Sequence, residues 1–365
     1  MQATLQTRAL CDTMWGIASA KGAYFHEGTV YRRYGHHQLG HFSALCTPGW
    51  DLTLLNRGNA DTRVPQGAHV IHADIHDEAA VRDALKGQAF DVVADFIAYT
   101  PEDVARDIRL FSGRTGQYFF ISSASAYQKP LSSPWITEGT PLCNPYWEYS
   151  RQKAACEDAL IAAYRGQGFP VTIIRPSHTY CRRSVPVALH GPNGSFQVLE
   201  RMRTGRPVIV PGDGLTLWTL THSDDFAVAF VGLMGNVHAL GEVFHITGDE
   251  SLTWNQVYGS IGAALGVKPR LVHIASETLG ALCQSYVGSL LGDKSNTVIF
   301  DNAKIKRAVP EFVAVKRFDQ GVREAVDYIY SHPECQRLDP AFDAWCDQVI
   351  EGYERLTAEL PKFDM

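Results

Sequence analysis

A chain of 365 residues with 45% hydrophobic content can bury one large core or two unequal lobes. A net charge of −6 at pH 7 without any basic run argues against nucleic acid as an obligate partner. No run reaches the ~18 apolar residues of a membrane span, and eight cysteines without a C-x-x-C pair fit reduced thiols in a cytoplasmic protein. The first fifty residues do not read like the rest. ALCDTMWGIASA, after Arg8, imitates a secretory signal ending in a small-x-small site, but Asp12 interrupts its apolar part. HEGTVYRRYGHHQLGHFSALCTPGW follows without strand–turn–helix patterning. His36, His37 and His41 lie close together, yet no Cys or carboxylate supports them as ligands, so an incidental histidine-rich surface is expected and no metal site.

From Trp50 onward the pattern is orderly. DLTLLNRG and HVIHAD read as strands, EAAVRDALKG as a helix, FDVVADFIA as a strand and PEDVARDIRLFSG as a helix. Such alternation predicts an α/β domain built on a doubly wound parallel sheet. QYFFISSASAY is an apolar run ending in small hydroxyl residues, as a buried parallel strand feeding a site would be. In PYWEYSRQKAACEDALIAAYRGQG, Tyr149 and Lys153 stand four apart on one face of a predicted helix. A free tyrosine titrates near ~10, too high for a good base at neutral pH. A lysine ammonium beside it favours the phenolate, and the Ser123 hydroxyl can hold the substrate oxygen that the tyrosine deprotonates.

On SSASAY and the Tyr149-x-x-x-Lys153 helix, the chain resembles the extended short-chain dehydrogenase/reductases, the NAD-dependent epimerase/dehydratase group, over about residues 50–330. The resemblance implies a Rossmann-type domain over 50–180 and a smaller α/β substrate-binding lobe with C-terminal helices over 181–365. It carries the catalytic serine, tyrosine and lysine onto Ser123, Tyr149 and Lys153, with Tyr149 and Lys153 also facing the cofactor.

A doubly wound domain should open with one further strand, a glycine-rich turn and a helix, because that turn receives the cofactor's pyrophosphate. The genetic code restores this missing unit. With the frame moved forward one nucleotide from His26, each new codon has its first and third bases set by the printed residues. His26 (CAT) followed by G gives methionine; Arg32 and Arg33 (CGG, CGG) give two glycines; Tyr34 gives Thr and Gly35 gives Gly. Continued to Cys46, an allowed decoding is MKVLFIGGTGTISSAISRLCA, which rejoins the printed frame near Gly49. That string holds a start, an apolar strand, a glycine turn and a helix. Residues 26 to about 48 therefore read as an out-of-frame first βα unit and residues 1–25 as translated upstream sequence, which makes 1–49 an aberrant N-terminal segment.

The strand ending LLNRG offers Asn56 and Arg57 where an acidic residue would take the ribose of NAD. Arg57 suits the 2′-phosphate of NADP, or is a solvated loop residue; NADP is favoured over NAD. The resemblance places Asp74 and Ile75 against adenine, Ala98 beside the cofactor, and the Arg175-Pro176 turn near the nicotinamide, although an X-Pro strand end explains Pro176 equally well. Asp224 or Asp225 is expected to cap the helix after THS, and Thr253 the helix after SLT. In Ala341–Leu360, Trp345, Val349, Tyr353 and Leu356 form one apolar stripe for core or dimer packing.

The resemblance implies an NAD(P)-dependent epimerase or reductase acting on a hydroxyl/carbonyl carbon of a sugar-like or nucleotide-sugar substrate, as a homodimer. Two departures bear on substrate. Ser123 is followed by Ala124 and Ser125, where sugar-nucleotide dehydratases carry an Asp-Glu pair. Trp218 and His178 stand where epimerases carry a diphosphate-binding arginine and an asparagine. Arg182, Arg183, Arg201 and Arg203 remain as candidates for an anionic substrate. The alternatives are a cofactor-sensing or RNA-associated binding protein on the same fold, or an inactive product of a frameshifted gene.

Overall fold

The structure, a computed structural model, describes residues 51–57 and 68–363 together with the backbone of 14–19. The out-of-frame stretch 26–48 and the histidines at 36, 37 and 41 lie outside the described residues. In chain order the strands are β1 (Met14–Ser19), β2 (Asp51–Asn56), β3 (His69–His72), β4 (Phe90–Asp95), β5 (Thr115–Ile121), β6 (Trp135–Ile136) and β7 (Val171–Pro176). Then follow β8 (His178–Tyr180), β9 (Val208–Pro211), β10 (Leu217–His222), β11 (Val243–Ile246), β12 (Ser251–Thr253), β13 (Leu271–Ile274) and β14 (Ile299–Phe300).

A seven-stranded sheet in the order β11-β7-β5-β4-β1-β2-β3 organises the first layer. Apart from its added outer strand, this is the doubly wound order expected from the alternating pattern. The pairs β11–β7, β7–β5, β5–β4 and β2–β3 are all parallel. Alternation along β5 sends Tyr118 and Phe120 to one face and Phe119 and Ile121 to the other. The helices Glu78–Ala84, Pro101–Phe111 and Glu148–Gln167 cover the first face through Val81, Val104 and Leu160, and Ser223–Gly232 covers the second through Phe226 and Phe230. The seventh strand comes from 243–246, beyond the stretch 50–180, so the chain returns to this layer after the second lobe has begun. That lobe holds the small sheets β12-β10-β8, β13-β9 and β14-β6 around Trp254, Tyr258 and Val322.

Helix starts follow local chemistry. Thr100 and Asp103 form a reciprocal capping box ahead of Pro101, and Thr253 does the same with Gln256, as expected of Thr253. The cap of Ser223–Gly232 differs from expectation. His222, not an aspartate, accepts the Asp224 N–H through its side chain at 3.2 Å, while Asp225 accepts the Lys316 N–H at 3.0 Å. The last helix, Pro340–Glu359, also turns differently: Phe342, Cys346 and Ile350 are its buried stripe. Trp345 and Val349 flank that stripe, whereas Tyr353 and Leu356 are exposed. Among the described residues, the final turns are exposed, so their apolar spacing meets no core.

The central slot departs from the rest. β1 lies between β2 and β4 and runs antiparallel to both. Ser19 is opposite Asp51 and Met14 opposite Asn56, so β1 ends at the edge where its parallel neighbours begin. A turn following such a strand starts at the sheet edge opposite the one where a doubly wound domain binds its ligand. A chain with residues 26–46 re-read in the shifted frame should place a parallel strand in this slot. Hydrogen bonds to charged oxygens are worth ~1.5–3 kcal/mol each, so it is expected to bind NADPH at least roughly ten-fold more tightly than the printed chain. Titration calorimetry on both proteins measures this; equal affinities would remove the frameshift reading.

Candidate active site

Parallel β4, β5 and β7 end on one edge, and the helix Glu148–Gln167, which links β5 back to β7, starts there. Lys153, one turn into that helix, is 2% exposed. Its Nζ donates to the carbonyls of Ala98 at 2.7 Å and Ile121 at 2.6 Å, just beyond β4 and at the end of β5. The ammonium lies 4.7 Å from the ring centroids of Tyr99 and Phe120 and 5.9 Å from that of Tyr149. Carbonyl oxygens and π faces together offset the cost of burying the cation. Tyr149 is partly exposed, with its ring 5.0 Å from Trp147 and 6.1 Å from Tyr99.

Ser123 starts a short 3-10 turn, Ala124–Ala126, and its hydroxyl accepts the Ser125 N–H at 3.2 Å. The Ser123 and Ser125 hydroxyls are 2.8 Å apart, and Ser150 donates to Ser125 at 2.8 Å. A chain of three hydroxyls thus ties the end of β5 to the residue after Tyr149. Ser123, Tyr149 and Lys153 therefore converge on one corner of the sheet edge.

The expected cofactor residues fall into two groups. Ala98 is fully buried and its carbonyl is engaged by Lys153; Pro176 is buried at the end of β7. At the far side, Asn56 is buried, and Arg57 and Asp74 form a loose pair at 3.7 Å, each more than a third exposed. Ile75 is 2% exposed with its side chain in the core. Tyr149, Lys153 and Ala98 suit the nicotinamide-ribose end of a dinucleotide. The pyrophosphate end is not matched by β1, which runs antiparallel to β2 and β4 and ends where β2 begins.

Sequence patterning did not indicate the residues that hold this corner. Asp95 ends β4 at 1% exposure, and its carboxylate accepts the N–H groups of Ile97 at 2.6 Å and Ala98 at 3.0 Å. It thereby shapes the loop whose carbonyl receives Lys153. The Tyr118 hydroxyl lies 2.6 Å from the Asp107 carboxyl and 3.2 Å from that of Asp95. Burial, and then the Asp95 charge, push Asp107 well above the ordinary carboxyl range, with Arg106 acting in the opposite sense. Asn144 donates to the carbonyls of Ser125 at 2.7 Å and Gly292 at 2.6 Å, docking the second lobe on the Ser123 turn.

Arg175 is structural. Its guanidinium pairs with Glu157 at 2.6 Å, and Glu157 also accepts from Ser122 at 2.5 Å. Arg175 donates to the Tyr127 hydroxyl at 3.0 Å, and that hydroxyl is also hydrogen-bonded to His245 Nε2. Burial, then the Arg175 charge, push His245 down to about 3. Three of the four arginines considered for an anionic substrate are committed elsewhere. Arg201 pairs with Asp343 and Asp347, Arg203 with Glu200, and Arg183 with Glu334 at 3.4 Å. Arg182 lies over the Tyr328 ring at 4.6 Å. Among the described residues, no three His, Cys, Asp or Glu side chains could hold a metal ion. Likewise, no helix among them is long and apolar enough to cross a membrane. The six described cysteines are free thiols.

Residues 108–247, which span β5, the Ser123 turn, the Tyr149 helix and β7 to β11, match the NAD dependent epimerase/dehydratase family. The match covers the middle of the chain, from the helix before β5 to just past β11. A 2'-dehydrokanamycin reductase of Streptomyces kanamyceticus is 23% identical over 275 residues, 75% of this chain and 76% of that protein. The chloroplast stem-loop binding protein of 41 kDa b of Arabidopsis thaliana is 29% identical over 247 residues, 63% of this chain and 61% of that protein. Among solved structures, the dTDP-glucose 4,6-dehydratase of Bacillus anthracis in complex with NAD superposes with a TM-score of 0.60. It is 18% identical and covers 79% of this chain and 87% of its own, a likeness of fold.

Two outcomes test this packing. Arg175→Met leaves Glu157 buried without its counter-charge and should cost ~3–5 kcal/mol in urea unfolding. His245 is neutral when folded, and its ordinary value is 6.5. As pH falls from 6.5 towards 3 the unfolded chain takes up a proton that the folded chain refuses, so stability present above 6.5 is lost. The slope is about 1.4 kcal/mol per pH unit; His245→Gln, which can still hydrogen-bond Tyr127, should remove that component from urea midpoints measured across this range.

Proposed function

We propose that this lineage catalyses NAD(P)-dependent reduction or epimerisation at a hydroxyl/carbonyl carbon of a sugar-like substrate. The observation that carries the reading is Lys153, desolvated and held by two strand-end carbonyls beneath Tyr149. Tyr149 exchanges a proton with the substrate oxygen at its phenol. Lys153 keeps a positive charge beside that phenol and so favours the anion. Ser123, whose hydroxyl the Ser125 amide holds in place, positions the same oxygen. A bound nicotinamide would supply or accept the hydride. Arg57, exposed beside Asp74, favours NADP over NAD.

Reduction is supported further by the relative named as a 2'-dehydrokanamycin reductase. Dehydration is not proposed, because Ala124 and Ser125, both buried in the 3-10 turn, offer no acid after Ser123. A homodimer and a cytoplasmic location belong to the same reading. Since β1 does not match the pyrophosphate, activity is assigned to the frame-corrected protein.

The likeness to the chloroplast stem-loop binding protein favours a second reading, RNA association without turnover. The net charge of −6 counts against it. Tyr149→Phe in the frame-corrected protein separates the two. Loss of acid–base catalysis should lower hydride exchange with NADPH by ~10²–10⁴-fold while NADPH binding persists. Unchanged exchange together with retention of a stem-loop RNA in a gel-shift assay would favour the second reading.

A further inference from the structure

Apart from Lys153, Glu157 and Arg175, charged groups also flank the segment after Ser123 and the second-lobe turn docked on it. Lys129 lies four residues beyond Ser125 on the same loop and is 5% exposed. Asp293 and Lys294 are half-buried in the π-helical turn Leu290–Lys294. Asn144 bridges Ser125 and Gly292, so this turn is fixed against the Ser123–Ser125 segment. The Lys294 carbonyl, in turn, is held by Thr216 at 3.1 Å and by the Trp254 indole at 3.1 Å. Both sides of the cluster are therefore rigid.

Among the described residues, only the Asp293 charge offsets the two lysines. Among the described residues, neither Lys129, Asp293 nor Lys294 makes a side-chain hydrogen bond or an ion pair, in contrast to the arginines of the same lobe. Asp293 interacts electrostatically with both lysines, and Lys294 also faces His190. Burial lowers both lysines and raises Asp293 to about 6. Two ammonium groups and one carboxylate leave one unmatched positive charge, and an unpaired buried cation is costly. π-helical turns also recur at functional sites.

We infer that Lys129 and Lys294, together with Asp293, form a subsite for an anionic group of the substrate, a carboxylate or phosphate carried on the molecule that reaches Ser123. This rests on the reading above that a sugar-like substrate reaches Ser123. It also replaces the arginines as the source of positive charge: the anion is held by compact ammonium groups near the reacting end, not by guanidinium forks in the outer lobe.

Calorimetric titration of the full chain, without cofactor, tests it with glucuronate, glucose 6-phosphate and glucose as probes. At least one anionic probe is expected to bind roughly ten-fold or more tightly than glucose, and the tighter of the two identifies the group. Lys129→Met and Lys294→Met should each abolish that preference. Asp293→Asn should strengthen it, an effect that misfolding cannot imitate. Equal binding of all three probes overturns the proposal, as does an anion preference that survives both lysine substitutions or that weakens in Asp293→Asn. The two proposals fail separately. Loss of anion preference removes the subsite whatever the turnover, whereas unchanged hydride exchange in Tyr149→Phe removes the catalytic reading and leaves the subsite standing.

Discussion

The ammonium of Lys153 is the point on which this molecule turns. Its two hydrogen bonds join the loop after β4 to the last residue of β5, and its helix joins both to β7. A cation placed there is tolerable because parallel strands present free carbonyls together at one edge. Those carbonyls gain a donor, the lysine gains acceptors, and the phenol of Tyr149 gains a neighbouring positive charge. Asp95 supports the arrangement from beneath. Without its grip on the Ile97 and Ala98 amides, the Ala98 carbonyl would have no fixed direction.

The same sheet exposes a conflict. Strands β2, β3, β4 and β5 were legible as apolar runs between turns. The slot between β2 and β4 sits where a doubly wound domain needs a parallel strand, and it is filled by one running the other way. Hydrogen-bonding capacity explains why a substitute is accepted: β2 and β4 would otherwise each expose a row of unpaired backbone groups in the middle of the sheet. Strand polarity, however, determines where the next turn leaves. Pairing can be satisfied in either direction, but anion binding cannot.

What the sequence made legible was local. Tyr149 and Lys153 share one helix, so their spacing alone places them on one face; Thr253 caps through its own neighbour Gln256. What it hid was brought together by the fold. Asp95, Asp107 and Tyr118 come from β4, a helix and β5, and only sheet register makes them a cluster. Arg201 reads as a surface residue because its partners Asp343 and Asp347 lie far along the chain. His222 displaced the expected aspartate cap because imidazole can accept a backbone N–H as carboxylate does, a possibility that residue preferences underweight.

Charge placement then follows a single logic. Guanidinium groups, with planar forks, are used where fixed carboxylates are available: Arg201 and Arg206 each bridge Asp343 and Asp347, and Arg175 grips Glu157 with two nitrogens. These pairs are complete and have no unmatched charge to offer a ligand. Lys129 and Lys294 have no such partner and share one carboxylate. A protein stabilised only by internal pairing would gain by replacing them with apolar side chains. Their presence beside the Ser123 turn is accounted for when the missing negative charge arrives with the molecule being transformed.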